Sequence, residues 1–359
     1  MSNEEIIALE QKTSKVISST NNQQMAYKIA LNSLYGASGS PYFRFFDLQL
    51  ARAITLTGQY IIQAVDRGIN AELNKVLKTN DYEYCFYCDT DSVYIRLEPV
   101  IEKFYPNKTT EQTIIKLDKI CQDVIQPLIS KICDDVQDYL GAYRNNIFFK
   151  REVLADKAIW TAKKRYILNV HNSEGVQFAK PKLKVMGLEM VKSSTPAVIR
   201  DKLKESVTVI LDGDEKALHR FIDNFRKEFM KMPVEDIAFP RGVNGMVTYR
   251  GSPIYSKGTP IHVRGALLFN HHCKRLGIER KYQAIRDGDK IKFVYVRKPN
   301  PFQEDVIAFP QELPKEFGIH SFIDYDLQFQ KVFLDAMQTV IEPLGWKTEE
   351  QSSIEDFFA

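Results

Sequence analysis

The stretch Tyr82-Glu83-Tyr84-Cys85-Phe86-Tyr87-Cys88-Asp89-Thr90-Asp91-Ser92-Val93-Tyr94-Ile95-Arg96-Leu97 decides how the rest of the chain is read. Its flanks, Tyr82 to Cys88 and Ser92 to Leu97, have the aromatic and β-branched composition of strands. Asp89-Thr90-Asp91 joins them, so the expectation is a β-hairpin with two carboxylates at its tip. On extended chain, residues i and i+2 share a face, which sets Asp89 beside Asp91 with Thr90 turned away. Two like charges held together cost stability unless cations bind there. Divalent cations on oxygen ligands are what phosphoryl transfer needs, one to activate the attacking hydroxyl and one to stabilise the leaving oxygen. A lone Asp-x-Asp is more often a plain turn, and its place at the tip of an apolar hairpin favours the metal reading. Cys85 and Cys88 match Cys-x-x-Cys. Residues three apart on a strand point to opposite faces, and no second such pair completes four ligands, so the two are read as strand residues and not as a zinc or redox site.

Upstream, a polar leader precedes a helix. Asn21 to Leu34 contains neither Gly nor Pro, Met25, Ile29 and Leu31 can pack on one side, and Gly36 supplies a stop. Ser38-Gly-Ser-Pro41 is a break before a second helical stretch from Asp47 to about Leu73. Downstream, Ile114, Leu117, Ile120, Val124, Leu128, Ile132 and Val136 recur at helical spacing, with a kink expected at Pro127. Arg165 to Val170 and Val176 to Val185 read as a hairpin turning at His171 to Gly175. After Pro196 the chain reads as helical to about Met232. A Gly/Pro-bearing region follows, then a helix from about Tyr325 to Val340 and a polar tail. The fold class is α+β.

The 359 residues predict two or three domains, and 44% hydrophobic with 26% charged residues excludes disordered, collagenous and disulfide-scaffold classes. No apolar run approaches the roughly 20 residues of a membrane span, and Met1 to Glu10 lacks the regions of a signal peptide, so a cytoplasmic protein without a membrane partner is expected. Five cysteines are too few for a disulfide framework and read as reduced thiols. The net charge of +3 is unevenly spread: Lys150 to Lys192 holds ten Lys/Arg against four Asp/Glu. That local +6 fits a phosphate-backbone partner, and a solvated strand face gives the same count.

Gln24, Lys28, Asn32 and Tyr35 are spaced by four, four and three, which puts them on one helical face. A cation, an amide and a phenol suit a ligand that is part triphosphate and part planar base, and an ordinary solvated face fits the spacing equally well.

Here the sequence resembles the family B DNA polymerases. Lys28-Ile-Ala-Leu-Asn-Ser-Leu-Tyr-Gly36 is similar to their motif B, Tyr87-Cys-Asp-Thr-Asp-Ser92 to motif C, and Lys163-Lys-Arg-Tyr166 to the Lys-Lys-x-Tyr segment beside the primer. Pro181 to Glu189 with Lys192-Ser-Ser-Thr-Pro196 resembles the palm-to-thumb junction of the T-even phage type. The resemblance implies a right-hand polymerase fold: fingers helix at 1–39, palm with an antiparallel sheet at 40–187, and a largely helical thumb at 188–346. It makes Asp89, Asp91 and Lys28 the catalytic candidates, with Lys28, Asn32, Tyr35 and Thr90 at the incoming dNTP. Asp89 and Asp91 would hold two divalent cations, Mg2+ expected, with Glu152 a further carboxylate near them. Lys163, Lys164, Arg165 and Tyr166 would hold primer-template DNA.

The sequence departs from the family pattern in two ways. Cys88 stands where the family usually has Gly, so its side chain must pack away from the primer end. No Ser-Leu-Tyr-Pro segment of motif A is found, nor the proofreading exonuclease carboxylates. The expectation is therefore the C-terminal subunit of a split polymerase, completed by an N-terminal subunit carrying motif A and the exonuclease, in the cytoplasm of an infected bacterium. The alternative is a non-catalytic DNA-binding and clamp-tethering subunit. An unrelated metal-dependent phosphohydrolase would need more ligands than six scattered histidines offer. The tail at 347–359 carries Gln351, Ile354, Phe357 and Phe358 in a spacing that resembles a sliding-clamp-binding peptide, its apolar residues on one helical turn.

Overall fold

The computed structural model describes residues 2–349 and divides into two compact units, one ending at Glu152 and one beginning at Val153. Gln351, Ile354, Phe357 and Phe358 of the expected clamp-binding tail lie outside the described residues.

In the first unit, helix α1 (Asn3–Ser38) begins far earlier than the sequence reading placed it. Ser2 Oγ accepts the Glu5 N–H and the Glu5 carboxylate accepts the Ser2 N–H, a capping box that winds the polar leader into helix. The helix continues through Gly36 and ends at Gly39, which corrects the expected stop. Helix α2 (Leu48–Leu77) starts where expected, its first N–H groups bonded to Asp47 Oδ1. Ile61, Val65, Ile69, Leu73 and Leu77, each four residues on from the last, form one buried stripe.

That stripe packs on Ile125, Ile129, Cys133 and Val136. They belong to a broken helix: α4 (Thr110–Ile120), a π turn (Cys121–Ile125) and α5 (Gln126–Leu140), after the short α3 (Glu98–Phe104). The π turn ends two residues before Pro127, where a kink was expected. It admits an extra residue and rotates the apolar face, so Ile125 is buried while Val124, in the straight-helix stripe, is 52% exposed.

Strands β1 (Cys85–Asp89) and β2 (Ser92–Ile95) form the expected antiparallel hairpin. Side-chain amides of α2 hold its entry. Asn74 Oδ1 accepts the Tyr82 N–H and Asn74 Nδ2 donates to the Tyr82 carbonyl, while Asn70 Oδ1 accepts the Cys85 N–H. Tyr84 is fully buried, its hydroxyl 2.7 Å from Thr79 Oγ1, which itself donates to Asn74 Oδ1.

The second unit opens with a three-stranded antiparallel sheet, β3 (Val153–Ala162), β4 (Arg165–Ser173) and β5 (Val176–Met186), in the order 3-4-5. The β4–β5 hairpin was legible, whereas β3, with its three register shifts, was not. Ile159, Ile167, Leu183 and Val185 pack on a helical layer: α6 (Ala197–Asp212), α7 (Glu215–Phe229) and a C-terminal helix built of α11 (Tyr325–Phe329), a π turn and α12 (Asp335–Ile341). Phe225, Phe229, Phe329 and Phe333 interlock at its centre. To the Gly/Pro-bearing region between them the sequence reading assigned no elements. Instead, after short helices α8 (Val234–Ile237) and α9 (Met246–Tyr249), helix α10 (Ile261–Arg275) lies on β6 (Phe239–Gly242), β7 (Lys290–Tyr295) and β8 (Val306–Phe309). Gly265 permits this contact, since a Cβ there would come 2.9 Å from the Ala308 nitrogen. The chain is thus α+β with antiparallel sheets.

Two predictions follow from this packing. Asn74→Ala strips Tyr82 of both backbone partners and should cost about 1–3 kcal/mol in urea unfolding, and a loss below about 0.5 would remove Asn74 as the anchor. His272 is buried, stacks face to face on Phe302 at 3.6 Å, and has no hydrogen-bond partner among the described residues at either ring nitrogen. Burial, reinforced by Arg275 and His271, pushes its pKa down to about 4. The unfolded chain takes that proton near pH ~6.5, so stability should be full above this and fall as pH drops toward 4. His272→Phe should flatten that slope in unfolding measured across this range, and an unchanged slope would assign it elsewhere.

Candidate functional site

Asp89 is the last residue of β1 and pairs with Ser92, so Thr90 and Asp91 form a two-residue turn. Thr90 takes the left-handed conformation at φ 58° and the Asp91 N–H donates to the Asp89 carbonyl at 2.6 Å. The carboxylates do stand at the tip, but not as neighbours on extended chain: Asp89 is half-buried on the strand and Asp91 is exposed on the turn. Thr90, expected at the nucleotide, donates from Oγ1 to Asp89 Oδ1 at 3.0 Å, and Ser92 Oγ donates to the Asp89 carbonyl at 3.1 Å. The turn therefore fixes Asp89 from both sides.

The reading of Cys85 and Cys88 is corrected here. Cys85 pairs with Ile95 but Tyr87 with Tyr94, a bulge at Phe86 that turns both cysteines to one side, their Sγ atoms 3.8 Å apart. Asp66 of α2 joins them, the three ligand atoms lying within 4.8 Å of one another. Burial pushes the Cys85 thiol pKa well up, with Cys88 and Asp66 adding to it, and burial also raises Cys88. Cys88 thus turns toward α2, and Asp89, next along the strand, projects to the other face.

On α1, Lys28, Asn32 and Tyr35 are all exposed on one face. Thr55 Oγ1 donates to the Ala51 carbonyl, so the Tyr35 hydroxyl donates to Thr55 at 2.9 Å and ties the end of α1 to α2. Glu152 is exposed at the end of the first unit.

In the second unit, Ala162 pairs with Arg165, leaving Lys163 and Lys164 as the β3–β4 turn, with Lys164 at φ 64°. Lys163, Lys164 and Arg165 are exposed, whereas Tyr166 is buried and stacks on Trp160 at 5.6 Å. Gly187, at φ 69°, packs on this turn, and a Cβ there would collide with the Lys164 carbonyl oxygen. Lys182 and Lys184 on β5 pair with Val170 and Leu168, on the sheet face opposite the helical layer. The sequence reading counted these lysines without singling them out; the alternation Lys180-Pro-Lys182-Leu-Lys184 was the available signal. Within the same basic segment Lys157 pairs with Asp212 and Lys192 with Glu189.

Among the described residues no helix is long and apolar enough to cross a membrane. Residues 5–105 match the model of DNA polymerase family B, and residues 76–219 that of the divergent family B DNA polymerases. The chain is 35% identical to the DNA-directed DNA polymerase of Enterobacteria phage T4 over 98% of its own length and 40% of the relative's. It is 33% identical to that of Escherichia phage RB69 over 93% and 38%. A 179-residue stretch is 27% identical to an African swine fever virus protein named DNA polymerase beta, covering 47% of this chain and 14% of the relative. The chain spans about two fifths of the length of the phage relatives it matches. With both family models meeting at the carboxylate hairpin and these relatives spanning nearly the whole sequence, the chain belongs to the family B DNA polymerases.

Proposed function

We propose that this chain supplies the catalytic carboxylate hairpin, the nucleotide-facing helix and part of the DNA-binding surface of a DNA-directed DNA polymerase. The carrying observation is the Asp89-Thr90-Asp91 tip, where the turn's own hydrogen bonds orient one aspartate and expose the other. Two aspartates are a hard-oxygen donor set of the kind Mg2+ takes, so Asp89 and Asp91, with Glu152 as a further carboxylate, are the residues that would hold divalent cations. Bound there, such cations supply Lewis-acid stabilisation of charge at the transferring phosphate. Lys28 meets the triphosphate of the incoming dNTP, and Asn32 and Tyr35 line the base-pair pocket, Tyr35 being steadied by Thr55.

Lys163, Lys164 and Arg165 grip the primer-template backbone. Tyr166 acts beneath them, its ring stiffening the turn through Trp160. In this reading residues 1–39 belong to fingers, 40–187 to palm, 188–346 to thumb and 347–359 to a sliding-clamp tether. Motif A and the proofreading carboxylates come from an N-terminal subunit, and the protein works in a phage-infected cell. A purely tethering subunit is disfavoured by the retention of both aspartates and of the Lys28 face.

Primer extension by the chain co-expressed with an N-terminal polymerase segment tests the proposal. Asp89→Asn or Asp91→Asn should lower kcat by about 10²–10³-fold or more while DNA affinity stays within about twofold, since the loss falls on the transition state. Equal loss of affinity and rate would make the aspartates structural. Replacing Lys163, Lys164 and Arg165 by Ala should reduce the slope of log affinity against log salt by roughly 2 to 3, from about 0.9 per lost phosphate contact. An unchanged slope would remove this turn from the DNA.

A further inference from the structure

We infer that Asp66, Cys85 and Cys88 form a binding site for a thiophilic divalent cation of the zinc class, separate from the aspartate tip. The geometry carries it. Two thiolates on a tetrahedral zinc, each bonded at about 2.3 Å, stand about 3.8 Å apart. The Cys85 and Cys88 sulfurs are 3.8 Å apart. Asp66 adds a carboxylate oxygen within 4.8 Å of both sulfurs, a separation that a modest rotation of its side chain closes.

The two sulfurs are not bonded to each other: both cysteines are free thiols, and 3.8 Å is well beyond the roughly 2.05 Å of a disulfide bond.

The site also has the supporting shell that metal ligands use. Asn70 Nδ2 donates to Asp66 Oδ1 at 2.9 Å, and the same side chain accepts the Cys85 N–H at 2.9 Å. One amide therefore orients both the carboxylate and the strand that carries the thiols. Cys85 is buried while Asp66 and Cys88 are half-buried, so the fourth position faces solvent and takes water. Binding releases the two thiol protons to solvent as the cation takes both thiolates. The ion would bolt β1 to α2 one residue before Asp89.

The test uses the full chain, purified reduced and metal-free, titrated with Co2+ and then Zn2+ alone in a large excess of Mg2+. One equivalent of Co2+ should give thiolate-to-cobalt charge-transfer absorption that Zn2+ abolishes and Mg2+ leaves in place. Cys88→Gly should lose it, and Asp66→Asn should weaken Zn2+ binding by about 10–100-fold. In the unaltered chain, Zn2+ should slow alkylation at Cys88 as mapped by peptide mass, a readout that needs no variant to fold. No absorption at one equivalent, displacement by Mg2+, persistence in folded Cys88→Gly, or alkylation of Cys88 at the same rate with Zn2+ would each overturn the assignment.

Discussion

The first unit depends on how α2 holds a hairpin too small to hold itself. Two strands of five and four residues are marginal in water. Their stability is borrowed from two adjacent stripes on α2. Val65, Ile69 and Leu73 face the α4–α5 layer, and one residue on, Asp66, Asn70 and Asn74 form a polar stripe toward the strand. Asn74 presents Tyr82 with a donor and an acceptor, as a neighbouring strand does, and Asn70 gives Cys85 an acceptor while its own amide donates to Asp66. The start of the strand that ends at Asp89 is therefore held by amides on α2.

Both charged turns share a second constraint. Thr90 and Lys164 lie in the left-handed region at φ 58° and 64°, a conformation costly for a side-chain-bearing residue and most costly for a β-branched one. Neither turn uses glycine at that position. At the first, Thr90 recovers part of the cost by donating to Asp89, which makes the strained residue an orienting one. At the second, the relief is external: Gly187 accepts the awkward backbone itself so that the Lys164 carbonyl can pack against it. Both turns thus carry a left-handed residue with a side chain, as Lys78, Asp81, Glu174 and Gln303 do elsewhere in the chain.

What the sequence disclosed follows from whether local pattern and tertiary packing agreed. The hairpin, the start of α2 and the β4–β5 pair were legible because periodicity, caps and turn residues all pointed one way. The polar leader misled because it lacks an apolar face, yet a two-residue capping box was enough to start α1. Val124 misled because a π turn resets the helical phase, which no straight-helix template can report. The second sheet escaped because α10 and long connections separate β6 from its partner β7. For the candidate site residues the motifs offered identities and order as expectations, but the side each one faces was not legible in them. Tyr166 turned inward, Thr90 turned to Asp89, and one bulge at Phe86 reversed Cys85.

That bulge bears on how one short strand serves two kinds of cation. Cys88 and Asp89 are adjacent, so their side chains leave β1 on opposite faces, and the thiolate charge at one does not lie on the carboxylate of the other. The donor sets are also chemically distinct. Two carboxylates at the hairpin tip, one half-buried and one exposed, suit a hard, strongly hydrated ion, whereas two sulfurs and one oxygen select a soft ion over Mg2+. A glycine at position 88, the residue usual in the family, cannot supply the second sulfur. With a cation in the proposed site, the side chain at 88 would tie β1 to the helix that already positions it, so the departure from the family pattern would add support behind the aspartates.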